Sequence, residues 1–136
     1  MPKGLEQSAY MIDNNLILHA AGTPLTGAGT TTGSTALESG FIKGEIYKAV
    51  INAASIDDDD GDETYKIRIL GRDEDTDDWE TLGIQEIACE GSPLAITELN
   101  YEFSFKAARN QINWSCERAG TSPSIDFRLY LHPEPC

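Results

Sequence analysis

Asp57-Asp58-Asp59-Asp60-Gly61-Asp62-Glu63 is the stretch of this sequence richest in side chains that could do chemistry. Carboxylates crowded around a glycine suggest a calcium loop, because Ca2+ gathers about six to eight oxygen ligands. An EF-hand wants Asp or Asn at its first, third and fifth positions, Gly at the sixth and Glu at the twelfth. With Gly61 at the sixth position, Asp58 and Asp60 fall correctly, but Ile56 takes the first and Ile67 the twelfth. The flanks also read as strands, not helices. The expectation is therefore no metal: the loop is solvated and self-repelling, and it keeps a hairpin from pairing edge to edge. A calcium site of another type is the second reading.

Other chemistry finds less to stand on. His19 and His132 are far apart and do not make the H-E-x-x-H spacing of a zinc protease. Gly29 to Thr35 reads GTTTGST, a glycine-rich run without the lysine or the strand-to-helix setting of a phosphate loop. There is no G-x-S-x-G elbow and no Cys/His signature. Carboxylate pairs are too common here to nominate a glycosidase dyad. The chain is expected not to be an enzyme and to need no cofactor. Cys89, Cys116 and Cys136 are odd in number and too widely spaced for a zinc pattern, so Cys89 and Cys116 are expected to be small apolar strand residues. Cys136, the last residue, is a candidate for cross-linking chains after oxidation. Asn113-Trp114-Ser115 is a glycosylation sequon by chance, inside an expected strand. Trp114 shares its parity with Ile112 and Cys116 and is expected in the core, whereas Trp79, beside the acid, could stack on a sugar.

These groups sit on a chain of 136 residues, the length of one domain, with a net charge of -13. The acid is bunched: Asp57 to Glu80 holds 12 acidic residues against Lys66, Arg68 and Arg72, a local net of -9. One hairpin is thus expected to be a strong negative pole. Such a balance argues against nucleic-acid backbones, which need clustered Lys and Arg, and against anionic membranes. No apolar stretch of signal-peptide length follows Met1, and no run approaches the roughly 20 apolar residues of a membrane span. The expected site of synthesis is the cytoplasm.

The elements that position these groups read as strands. Tyr65, Ile67 and Ile69 alternate with Lys66 and Arg68, the period-two mark of a half-buried strand. Trp79 to Ala88 resumes after a charged turn, with Gly83 as a candidate bulge, so the two runs form a hairpin with acid at its tip and its entrance. Asn15 to His19, Phe41 to Ala54, Tyr101 to Phe105, Ile112 to Cys116 and Ile125 to Leu131 repeat the alternation between turn residues. Ser8 to Met11 and Thr97 to Asn100 are the two places where a single helical turn fits. Seven or eight short strands mean a single-domain, all-β antiparallel sandwich or barrel with little or no helix; the pattern leaves the topology open. Residues 20–40, rich in Gly, Thr and Ser, read as a long flexible or binding loop with a short strand near Ser34 to Leu37. Residues 1–12 are a candidate N-terminal arm and 132–136 a C-terminal tail.

The order of features has a likeness. Ser34-Thr35-Ala36-Leu37-Glu38-Ser39-Gly40 ends a Gly/Ser/Thr stretch, and Tyr47-Lys48-Ala49-Val50-Ile51-Asn52 follows. Thr64-Tyr65-Lys66-Ile67-Arg68-Ile69-Leu70-Gly71, an acidic turn, Trp79-Glu80-Thr81-Leu82-Gly83 and a last strand from Ile125 to Leu131 complete it. Over residues 12–131 this resembles the capsid cement, or decoration, proteins of tailed bacteriophages, in pattern and order more than in any invariant motif. The resemblance implies a jelly-roll-like sandwich. It also implies a virion protein on the capsid exterior, binding the major capsid protein as a homo-oligomer and stabilising the head. Arms that order on binding would then supply contacts, with Leu5, Tyr10, Met11 and Leu25 as the candidate residues. Two alternatives of other classes are a carbohydrate-binding sandwich, with or without calcium, and an acidic mimic of DNA.

Overall fold

A computed structural model describes residues 16–89 and 99–133 of the chain; they contain nine β-strands and no α-helix. The strands are β1 (Ile17–His19), β2 (Leu25–Thr26), β3 (Gly29–Thr32), β4 (Ile46–Ile56), β5 (Thr64–Arg72), β6 (Glu80–Ala88), β7 (Asn100–Lys106), β8 (Gln111–Ala119) and β9 (Ser124–Pro133). One sheet runs β1-β9-β4-β7, with β2 following β1 along the same edge of β9, and the other runs β3-β8-β5-β6. Every strand pairing is antiparallel. With β1 and β2 taken as one interrupted edge strand, eight strands remain. Their order, each sheet drawing alternately on the two ends of the chain, is that of a jelly roll. The antiparallel sandwich is what the alternation predicts; the topology comes from the structure.

Alternation selects which side chains fill the space between the sheets. Tyr47, Ala49 and Ile51 of β4 and Ile125, Phe127, Leu129 and Leu131 of β9 face Tyr65, Ile67 and Ile69 of β5 and Ile112, Trp114 and Cys116 of β8. All are buried, Trp114 as expected, and burying such side chains is worth roughly 1.5–3 kcal/mol each. Cys89 and Cys116 are buried and unpaired in this core, while Cys136 lies outside the described residues. The bulge falls where Gly83 marks it: Ile69 pairs with Gly83 and Leu70 with Thr81, leaving Leu82 as the extra residue. A Cβ on Gly83 would lie 2.5 Å from the Phe103 ring and 3.2 Å from the Phe105 Cβ. The missing side chain lets β6 close against β7 at that side of the sandwich.

Residues 20–40 depart from the loop expected of them. Leu25 and Thr26 pair with β9, and Gly29 to Thr32 pair with β8. The segment therefore crosses from the edge of one sheet to the edge of the other. Ser34 to Leu37 forms no strand; Leu37 makes one bridge, its N–H and C=O bonding Ile112 at 2.7 and 2.9 Å. Backbone pairing, which Gly and Thr supply as well as any residue, holds this stretch without a hydrophobic pattern. The sequon asparagine is buried, donating from Nδ2 to the Gly33 carbonyl at 2.8 Å. Thr97 and Ser8 to Met11 lie outside the described residues, and Asn100 opens β7.

His19 closes β1 with its ring wedged in the core, centroids 4.4 Å from Trp114 and 4.7 Å from Phe127. Its Nε2 is buried without a hydrogen-bond partner among the described residues. Burial holds its pKa below the usual histidine value, against the opposing pull of Asp126. The unfolded chain therefore binds more protons than the folded one once the pH nears about 6.5. The His19 contribution to stability is full above that pH and declines as the pH falls towards the lower folded value. Thermal unfolding midpoints should drop between about pH 7 and pH 5, and the His19→Phe variant should drop less over the same interval.

Candidate functional site

The two acidic loops flank β5, a strand of 9 residues, so they stand about 30 Å apart at roughly 3.3 Å per residue. The hairpin is thus not one negative pole. The acid is divided between the two ends of the sandwich, one loop entering β5 and the other leaving it.

At the entrance, residues 57–63 are tied into the fold from three sides. The Tyr65 hydroxyl donates to the Asp57 carbonyl at 2.6 Å and accepts from the Ser124 N–H at 3.1 Å. Its ring is wholly buried, and burial raises its pKa. Thr121, in the turn between β8 and β9, donates from its N–H and its hydroxyl to the two Asp62 oxygens at 3.0 and 2.7 Å. These bonds hold the Asp62 carboxyl below its ordinary pKa. Asp60 is pushed the other way, by desolvation first and then by Glu63, Asp62, Asp57 and Asp59. Glu63 points inward: it shares the parity of Tyr65, Ile67 and Ile69 and is 0% exposed. Its Oε2 accepts the Asp60 N–H at 3.0 Å, while Oε1 is buried without a hydrogen-bond partner among the described residues. One carboxylate oxygen from each of Asp60, Asp62 and Glu63 lies within 4.8 Å of the other two, an arrangement able to share a cation.

The opposite end meets its acid with cations. Arg109 donates to Glu80 from Nε at 2.6 Å and from Nη2 at 3.2 Å, and to Asp73 from Nη1 at 3.1 Å. Asp73 also accepts the Asn110 N–H at 3.1 Å, and Lys43 stands 3.5 Å away. The Asn110 bond foremost, then Lys43 and Arg109, holds the Asp73 carboxyl below its usual range, and Arg109 does the same for Glu80. Arg72 lies over the Trp79 ring at 4.0 Å, so one face of this indole is already covered.

The outer face of the β1-β9-β4-β7 sheet has a different character. Ile17, Tyr130 and Val50 line up in register across three strands, each half-buried. On one side of this apolar row stand Lys48, 3.4 Å from Glu102, and His132, its partner in the pairing. On the other, Arg128 donates to Asn52 at 2.7 Å and leans over Tyr130 at 5.3 Å. An open depression of about 660 Å³ lies beside it, lined by Val50, Asn52, Gln85, Asn100, Tyr101 and Glu102. Next to it β6 and β7 each pair with a single strand among the described residues.

Of the expected contact residues, Leu5, Tyr10 and Met11 lie outside the described residues. Leu25 sits in β2, half-buried against the core and paired with Ile125. Sequence reasoning missed Thr121 and Arg109 as partners of the acidic loops. It also missed the burial of Glu63, which extending the parity of β5 by one step would have exposed. Comparison with protein-family models, curated proteins and solved structures found no significant match.

Proposed function

We propose that this chain is a structural protein that decorates the outer surface of a phage head, binding the major capsid protein as a homo-oligomer and acting through contact area. The observation that carries this reading is the in-register row of Ile17, Tyr130 and Val50 on a sheet face otherwise set with Lys48, Arg128, Asn52 and Glu102. An apolar strip with a mixed polar rim is the composition of a protein-binding surface. The jelly-roll strand order is the one the resemblance to cement proteins implies. A net charge of -13 suits the exterior of a shell and opposes contact with packaged DNA. With acid at both ends of the sandwich, end-to-end stacking of copies is repelled, so neighbours in an oligomer would meet side by side, along the edges of the two sheets. A specific interface takes about 1,600 Å² in total, a sizeable fraction of a surface of 7700 Å².

The rival readings have less support. A sugar platform at Trp79 would compete with Arg72 for the indole, and a DNA mimic needs acid spaced along one face. The test is co-sedimentation of the purified chain with phage heads lacking it. Stoichiometric binding is expected, and Tyr130→Ser should weaken it about tenfold or more while leaving the fold intact by circular dichroism. Heads that remain free of the wild-type chain would refute the reading.

A further inference from the structure

We propose that the loop entering β5 is a calcium-type cation site held by Asp60, Asp62 and Glu63. An acidic cluster alone would not carry this, since solvated carboxylates crowd many surfaces. Glu63 is the independent observation: its side chain is 0% exposed, it lies in the cluster, and its Oε1 is buried with no hydrogen-bond partner among the described residues. An ionised carboxylate removed from water is stabilised by a counter-charge or a metal. None of these three carboxylates forms an ion pair with Lys or Arg among the described residues. At the other end of the sandwich Asp73 and Glu80 do have such partners, in Arg109 and Lys43.

The chemistry of the donor set points to a hard cation. All three ligand atoms are carboxylate oxygens lying within 4.8 Å of one another. Calcium binds oxygens at about 2.3–2.6 Å, so ligands on opposite sides of one ion stand roughly 4.6–5.2 Å apart, and closer when they are adjacent. The three groups are therefore close to the spacing of one coordination sphere. Calcium also accepts irregular shells completed by carbonyls and water, whereas Mg2+ demands a near-octahedral one. Thr121 positions Asp62 without exhausting it, because each of its oxygens accepts one hydrogen bond and keeps a lone pair.

The test uses the full chain, stripped with a chelator and titrated with CaCl2 by calorimetry and by thermal unfolding. One ion per chain is expected, with a rise of several degrees in Tm at saturation. Tb3+ should bind competitively with Ca2+ and luminesce on excitation of Tyr65, whose hydroxyl is 2.6 Å from the Asp57 carbonyl. Asp60→Asn should weaken Ca2+ binding about tenfold or more and remove most of the Tm rise. Asp60 is exposed, so this variant should fold. Glu63→Gln should lose the calcium response as well. A flat titration overturns the proposal. So does a Tm rise matched by NaCl at equal ionic strength, which is screening, or an Asp60→Asn variant that binds as wild type does. No arm of this test involves capsids, so its outcome is separate from that of the decoration reading.

Discussion

Replacing Phe127 with Ala should cost about 3–5 kcal/mol, a large part of the roughly 5–15 kcal/mol that holds a domain of this size together. Phe127 is fully buried on β9, the strand that pairs with β1, β2 and β4. Its ring meets Trp114 of β8 edge-on, with centroids 5.8 Å apart and an interplanar angle of 88°, so one side chain joins the two sheets. Across the ladder its partner is Ala53, too small to swing into the space left behind. The cavity would open beside His19, which packs on both rings, and leave a polar ring lining an apolar void. Urea denaturation should show a lower midpoint with an unchanged slope. Phe127→Leu, which keeps most of the volume, should lose less than half as much. A loss below about 1 kcal/mol for the alanine variant would mean that the sheets are joined elsewhere.

Gly120→Ala is expected to be nearly as damaging, by about 2–5 kcal/mol, through a different mechanism. Gly120 follows β8 with φ 103°, a conformation that L side chains rarely adopt. A Cβ there would also lie 2.5 Å from the Asp62 carbonyl oxygen and 2.7 Å from the Glu63 Cα. These are backbone atoms and cannot rotate aside, so the turn must lift away from the loop and take Thr121 with it. Gly44 provides the control: its φ is 93°, but none of the described residues lies within 4 Å of its added Cβ. Gly44→Ala should show the strain alone, about 1–2 kcal/mol. If the two substitutions destabilise equally, the close approach between turn and loop contributes nothing.

How much of this could be read from the residues depended on what held each element. Strands β4, β5, β7 and β9 are held by side chains packed on one face, and that leaves a period-two trace: Ile125, Phe127, Leu129 and Leu131 announce β9 directly, and β8, though buried on both faces, alternates Ile112, Trp114 and Cys116 with polar residues. Strands β2 and β3 are held by backbone hydrogen bonds to β9 and β8. With 2 and 4 residues of Leu, Thr and Gly they leave no such trace. The same division runs through the candidate sites. The acid in the loop entering β5 was plain, and the calcium template failed at Ile56 and Ile67. What singles out Glu63 is its burial, a tertiary property that depends on where β5 begins. The row of Ile17, Tyr130 and Val50 was hidden for another reason: it joins three strands distant in sequence, and only the register brings them level.

The two buried cysteines make the protein its own reporter of how it comes apart. Cys89 lies under the loop entering β5, its N–H bonded to the Glu63 carbonyl at 2.9 Å. Desolvation, with the surrounding acid, raises its thiol to about 11. Cys116 lies at the centre of the sandwich, 0% exposed. A thiol reagent can reach Cys89 once that end alone lifts, but reaches Cys116 only when the sheets part. In a Cys136→Ser background, the ratio of the two labelling rates measures the free-energy gap between opening one end and unfolding the whole. A cation seated in the loop would slow the first reaction while leaving the second to follow global stability.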